Sequence, residues 1–403
     1  MGKLFGTGGM GAILAEPARC DKAASVCNFR SVQNPRTGLR ERAGIGWEQS
    51  RKRYAQAGNR KWGTMNAEEK PTLIWTDIDY DKNGKQVGVL HLPYSVTRSG
   101  YGMIDIPIAV IKNGEGPSVL LMAGNHGDEY EGQVTLSRLI HDLEASDVSG
   151  RIIVMPAVNL PAAMAGARVS PLDSGNLNRA FPGAPDATPT WQIAHYVDSV
   201  IVPRCSAWLD LHSGGSSMDY LPFAAFYQSG DAALDTRGEA IMRAFGAPRS
   251  VIVTARPDPR LAAATAHRRK IAYLGGEWGG GGSVNPDGVL LTRHGVLRVL
   301  AHLSALKNIA RFEVPPAGNA QNLEWGGYDF YAFAPEAGLF EPAVRLGDSV
   351  KDGQLSGHVH FIESPWRPSI PVHFKKGGLV ICQRHFGRVE PGDCVAHTVT
   401  ELA

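Results

Sequence analysis

The sequence predicts an α/β fold, a mixed sheet flanked by helices, followed by a C-terminal all-β domain. First, short apolar runs of strand length alternate with helical patterns over about 200 residues from near residue 72, which argues for a sheet with helices on both faces. Second, the chain changes character after residue 312, where turn phrases such as Leu346-Gly347-Asp348 and Pro391-Gly392-Asp393 separate short alternating runs. Third, 403 residues with 43% apolar and 20% charged content have globular composition. A chain of this length needs no disulfide staples to bury a core.

In chain order, residues 1–64 come first and differ from the rest. They hold 12 Lys and Arg against 4 Asp and Glu, whereas the remaining 339 residues hold 29 against 35. This leader is Gly-rich and lacks a sustained period of 3.6 or 2, so it reads as irregular. An over-extended reading frame with Met65 as the natural start is the favoured expectation, ahead of a basic arm for an anionic partner. Residues 65–312 read as the α/β domain. Within it, Ile104–Ile111 alternates as a strand, and Pro107 suggests an edge position. Ser118–Met122 and Arg151–Val158 are apolar enough for buried strands. Helical spacing of Val134, Leu136, Leu139, Ile140 and Leu143 predicts a helix over Gln133–Leu143. Thr190–Val202, Ile241–Phe245 and His294–Asn308 read as further helices, and Ala207–His212, Ser250–Thr254 and Ala272–Gly276 as further strands. Residues 313–403 form the all-β tail. Its phrase GLFEPAVRLGDSVKDGQLSGHV resembles half of a biotinyl/lipoyl-type barrel. Lys375 and Lys376 lack the surrounding pattern of a carrier lysine, so the resemblance is architectural.

Bulk properties narrow the function. A net charge of +2 gives no case for a nucleic-acid partner. No apolar run approaches the roughly 18 residues of a membrane span, and no signal-peptide pattern opens the chain. Five cysteines without a CxxC pair read as reduced thiols in a cytoplasmic protein.

The chemistry concentrates in three segments. Ala123-Gly124-Asn125-His126-Gly127-Asp128-Glu129 follows one apolar strand, at the carboxyl end where open α/β sheets place their sites. His126 and Glu129 can converge on one cation at a strand-to-helix turn. Leu209-Asp210-Leu211-His212 puts a second histidine at another strand end, which completes a two-His, one-carboxylate set suited to zinc. Asp210 lies on the face of His212 and could sit behind it, or serve a structural hydrogen bond. Between them, Asn178 and Arg179 occupy a turn-rich stretch, and the planar fork of Arg179 suits a carboxylate. Arg168, upstream, could polarise a substrate carbonyl. His294, His358, His360, His373 and His385 read as structural or exposed.

Together AGNHGDEYEG, SPLDSGNLNRAFPG and LDLHSGG, with IPIAVIKNGEGP before and GLFEPAVRLGDSV after, resemble the succinylglutamate desuccinylase/aspartoacylase family, which is related to zinc carboxypeptidases. The phrasing is closest to the branch of N-acetyl-diaminobutyrate deacetylases from ectoine breakdown, and the likeness spans roughly residues 68–400. The resemblance implies a zinc-carboxypeptidase-like fold with one zinc ion per chain on His126, Glu129 and His212. It implies Arg168 for carbonyl polarisation and Asn178 with Arg179 for the amino acid carboxylate. It also implies a general-base glutamate, for which Glu277 in LGGEWGGGG is the candidate. Trp278 follows where a smaller apolar residue is expected, so the pocket is expected to differ. The implied activity is hydrolysis of a small N-acyl amino acid, with Nα-acetyl-L-2,4-diaminobutyrate as the leading substrate. Succinylglutamate and acetylaspartate types, a zinc carboxypeptidase and a non-catalytic binding protein are the alternatives. The small-molecule substrate is the expected partner, with no nucleic acid or membrane, and homo-oligomerisation stays open.

Overall fold

Four parallel strands organise the site. The computed structural model describes residues 71–402, so the expectations for residues 1–64 lie outside the described residues. The first strands are β1 (Gly84–Pro93), β2 (Met103–Asn113), β3 (Ser118–Ala123), β4 (Gly150–Met155) and β5 (Ala207–Leu211). They are followed by β6 (Met218–Tyr220), β7 (Phe223–Tyr227), β8 (Arg249–Val253), β9 (Ala272–Glu277) and β10 (Gln321–Trp325). The central path runs β1-β2-β4-β3-β5-β9-β7-β8-β10. Strands β4, β3, β5 and β9 are mutually parallel, while β7 turns antiparallel to β9. The carboxyl ends of β3, β5 and β9 therefore open at one edge, where α/β sheets carry ligands.

Alternation along these strands divides the interior between two faces. Leu121, Leu209, Leu211 and Leu274 face one side. There they meet α1 (Tyr130–Asp142), which buries Leu136 and Leu139. The opposite face carries Leu120, Met122, Trp208 and Tyr273. It is covered by α2 (Leu160–Ala165) and α3 (Pro189–Tyr196), from which Ile193 and Ala194 are buried. Further along the chain, α4 (Ala232–Phe245) joins the first face and the short α5 (Ala262–Arg268) the second. The last helix, α6 (Pro286–His302), packs Val296, Leu297 and Leu300 into the first core.

Two sequence expectations are corrected and a third is refined. Pro107 does not lie on an edge strand, because β2 sits between β1 and β4. It is tolerated because β4 pairs only with Ala109–Asn113, which leaves β2 paired on one side at Pro107. The helix expected over Thr190–Val202 ends regular α-geometry at Tyr196 and continues through a π-helical turn, Val197–Ile201. The last helix begins at Pro286, not His294, and stops at His302. The Asn285 side chain caps its start by accepting from Asp287 N and Gly288 N at 3.0 and 3.2 Å. Ser304, with φ of 59°, ends it before Leu306 reaches the core.

Beyond β10 the chain is antiparallel β structure: β11 (Tyr331–Phe333), β12 (Gly338–Pro342), β13 (Ser349–Val350), β14 (Leu355–His360), β15 (Ile370–His373), β16 (Gly378–Arg384), β17 (Arg388–Val389) and β18 (Cys394–Glu401). Strands β15-β14-β12-β17 make a separate four-stranded sheet over a core that includes Phe340, Val359, Phe374 and Val380. Strand β18 pairs with β10, so this region continues the central sheet, and β6 crosses back to pair with β16. Cys205, Cys382 and Cys394 are free thiols. Among the described residues no helix is long and apolar enough to cross a membrane.

Candidate metal centre and substrate pocket

The loop after β3 turns sharply because its glycines permit it. Gly124 adopts φ of 69°, the left-handed region. At Gly127 a Cβ would fall 2.0 Å from the Ala162 carbonyl carbon, so α2 lies against the loop backbone. This compression brings His126 and Glu129 together, with Nδ1 to Oε1 at 2.5 Å. His212 follows directly on β5, and its Nδ1 lies 2.8 Å from Glu129 Oε2. One ligand atom from each of the three residues falls within 4.8 Å of the others, and all three are buried.

The remaining acids of the loop serve as ties. Asp128 Oδ2 accepts from Ser216 N and Oγ, both at 2.8 Å. Glu131 accepts from Ser213 Oγ at 2.5 Å and from Asn285 N at 2.9 Å. These bonds clamp the β3, β5 and β9 loops together and leave Glu129 as the carboxylate turned toward the imidazoles.

The outer ring nitrogens are also committed. His126 Nε2 donates to Asn176 Oδ1 at 3.1 Å, and His212 Nε2 to Asp210 Oδ2 at 2.9 Å. Asp210 is in turn fixed by Asn125 Nδ2 at 3.1 Å and the Tyr273 hydroxyl at 3.0 Å. With Nε2 carrying hydrogen, each Nδ1 presents a lone pair to a carboxylate oxygen. Acceptors facing each other so closely require a cation or a proton between them. Two imidazoles and one carboxylate, each backed by a partner, fit zinc or a similar divalent ion. Burial penalises the Glu129 charge, yet the facing His126 and His212 rings hold its pKa well below the usual range. Burial lowers the pKa of His126, whereas at His212 the Asp210 and Glu129 carboxylates overcome burial and raise it.

Glu277 ends β9 directly abreast of His212, joined by the bonds His212 N to Gly276 O at 3.1 Å and Trp278 N to His212 O at 3.2 Å. Abreast residues on neighbouring strands share a face, so Glu277 rises beside the triad. Burial, then the Glu129 carboxylate, push its pKa up to about 8. A divalent cation beside it would pull the other way. Its Oε2 is buried and makes no hydrogen bond. Trp278 does not reshape this pocket. Alternation turns it to the opposite core, fully buried and stacked 4.5 Å from Phe245, which corrects the sequence expectation.

Arg168 is half-exposed and reaches Glu129 Oε1 with Nη1 at 3.4 Å. Arg179 is half-buried, with its Nη1 on Asn178 O at 2.7 Å and its Nε 3.8 Å from Asp258 Oδ2. Burial, then the neighbouring Arg168, lower its pKa. Both guanidiniums therefore occupy the same side of the site. Asn178 has a second task, since its Oδ1 accepts from Ala262 N at 3.0 Å at the start of α5. Its amide NH2 group remains for a ligand. Sequence reasoning missed Asn176, Asn125 and Tyr273. Asn125 and Asn176 lay inside the AGNHGDEYEG and SGNLNRAFPG phrases, whereas Tyr273 had no such local signal.

The residues 115–303 match the model of the succinylglutamate desuccinylase/aspartoacylase catalytic domain. An N-alpha-acetyl-L-2,4-diaminobutyric acid deacetylase from Halomonas elongata is 36% identical over 329 residues, 82% of this chain and 95% of that protein. A product-bound structure of the ectoine utilization protein EutE (DoeB) from Ruegeria pomeroyi is 37% identical, with TM-score 0.79 over 82% of this chain and all of that one. A succinylglutamate desuccinylase/aspartoacylase structure from Rhodobacter sphaeroides is 38% identical, with TM-score 0.76 over 82% of this chain and 99% of that one.

Proposed function

Because this chain belongs to the succinylglutamate desuccinylase/aspartoacylase family, we propose that it is a zinc-dependent deacetylase of Nα-acetyl-L-2,4-diaminobutyrate in ectoine degradation, releasing acetate and diaminobutyrate. The single observation that carries the metal reading is the inward convergence of His126, Glu129 and His212, with their outer atoms already bonded. The substrate reading rests on the relatives' names and on the pair of guanidiniums beside the triad.

A bound divalent ion would supply a Lewis acid for the acyl carbonyl and its attacking water. Glu277 takes the proton of that water and passes it to the departing amine nitrogen. Its buried Oε2 makes no hydrogen bond, which leaves it open to take up and hand on a proton. Arg168 stabilises negative charge on the carbonyl oxygen. Arg179 and the Asn178 amide hold the α-carboxylate and orient the amide for attack. Breaking the C–N bond leaves the acyl group as acetate and the amine as the free amino acid.

The test is acetate release from Nα-acetyl-L-2,4-diaminobutyrate by the purified chain, before and after chelation and after zinc is restored. Release that chelation abolishes and zinc restores is the expected result. Absence of release from folded, zinc-loaded protein would sink the substrate assignment.

A further inference from the structure

The pocket has two chemically opposite sides. Arg168 and Arg179 make one side positive. The other is aromatic, and the sheet register builds it. Glu277 stands abreast of Phe223 on β7, so Tyr227, four residues along, rises on the face of Glu277. On the next strand, Val253 stands abreast of both Tyr227 and Trp325. Tyr227 and Trp325 thus flank Val253 on that same face. Tyr331, from β11, extends the wall with its ring 5.8 Å from that of Trp325, and both rings lie against His397 at 4.7 and 4.2 Å. Tyr227 is within electrostatic reach of Glu277, Asp210 and Arg179, and Tyr331 within reach of Tyr227. The wall therefore runs from the catalytic carboxylate into the C-terminal β region.

Three features mark it as more than core packing. Tyr227, Trp325 and Tyr331 all remain partly exposed. The Tyr227 hydroxyl has no hydrogen-bond partner among the described residues. The cation–π contacts among those residues fall elsewhere, on Tyr80, Phe312 and Phe361, so no internal cation covers these rings. Aromatic faces and the adjacent Glu277 and Asp210 carboxylates attract positive charge and repel negative charge.

We propose that Tyr227, Trp325 and Tyr331 form the receptor for a side-chain ammonium on the substrate, and that they set a preference for cationic over anionic side chains. The rings supply cation–π attraction, and the Tyr227 oxygen accepts from the ammonium. The α-carboxylate lies at the arginine side, so a short amino acid with charges of both signs matches both walls. This inference rests on the deacylase reading above.

The test compares kcat/KM of the full chain on Nα-acetyl-L-2,4-diaminobutyrate, on Nα-acetyl-L-norvaline, which replaces the ammonium by a methyl group, and on Nα-acetyl-L-aspartate. Wild type should favour the ammonium substrate over both. Tyr331→Leu should lower the ammonium-to-norvaline ratio about 3- to 30-fold, the scale of a desolvated cation–π contact, and Tyr331→Phe should restore it. Tyr227→Phe should lower the ratio through loss of the acceptor. Norvaline turnover reports folding of each variant, and should Tyr331→Leu fail to fold, the Tyr227→Phe ratio decides. A ratio unmoved in the folded variants, or a wild type that prefers acetylaspartate, overturns the receptor while leaving the deacylase. A wild type that hydrolyses none of the three overturns the deacylase reading itself.

Discussion

Glu277→Gln separates chemistry from architecture. The substitution keeps the shape of the side chain and removes its ability to accept a proton. Glu277 Oε2 has no hydrogen-bond partner to lose, and the bonds that hold β9 to His212 are backbone bonds at 3.1 and 3.2 Å. The three metal-facing residues are untouched. Fold and metal content should therefore stay at wild-type levels while turnover collapses. General-base catalysis contributes about 10²- to 10⁴-fold, which at about 1.4 kcal/mol per decade is roughly 3–5 kcal/mol in the barrier. The assay is kcat for acetate release, read beside metal content by mass spectrometry and thermal unfolding of the same sample. Turnover within tenfold of wild type would refute the base assignment. Loss of metal would show that Glu277 helps to hold the ion, and would refute the separation of roles.

Two further predictions test the surroundings of the site. Asp210→Asn should weaken metal binding about 10- to 100-fold, the usual cost of losing a carboxylate behind a histidine ligand, because Asp210 Oδ2 gathers His212, Asn125 and Tyr273. Competition with a graded chelator measures this, and unchanged affinity would refute the role. His397 is fully buried with neither ring nitrogen hydrogen-bonded, and burial pushes its pKa down to about 3. The unfolded chain binds a proton near pH 6.5 that the folded chain refuses, so this contribution is present at neutral pH and lost as pH falls from about 6.5 toward 3, at about 1.4 kcal/mol per pH unit. His397→Phe should flatten acid denaturation across that window and stabilise at pH 7 by about 1–3 kcal/mol. Unfolding curves at pH 7 and pH 5 that shift equally in both proteins would refute it.

The metal-facing residues were legible because each sits within a few residues of an apolar strand, and strand ends can be read locally. Asp210 behind His212 followed from a period of two. That same period should have turned Trp278 away from Glu277, since adjacent strand residues face opposite sides; the expectation of an altered pocket ignored a signal already present. The start of α6 was likewise marked by Asn285-Pro286, a cap followed by a first-turn proline, but Gly288 and Gly295 blur the helical pattern there. Tyr227 was not legible at all. Its place depends on β7 running antiparallel to β9 and on the register Phe223 to Glu277, and non-local pairing leaves no trace in a local pattern. Asn178 shows a different limit, because residue type suggested a ligand contact and could not reveal that its oxygen also anchors Ala262.

The division between what local pattern reveals and what it hides follows the division of labour in the site. The metal-facing residues and Glu277 come from the ends of β3, β5 and β9, whose parallel order brings those ends to one edge. Their loops are then tied by Asp128 and Glu131 to Ser216, Ser213 and Asn285, and the C-terminal region meets this clamp through backbone bonds such as His385 N to Ser217 O at 2.8 Å. Trp325 and Tyr331 reach the pocket from strands that join the sheet only through β8 and β18. Side chains there can change without disturbing the clamp on His126, Glu129 and His212. Substrate choice can thus shift with the aromatic wall while the hydrolytic apparatus stays constant. On that logic, Tyr331→Leu should alter substrate ratios far more than metal affinity, and Asp210→Asn should do the reverse.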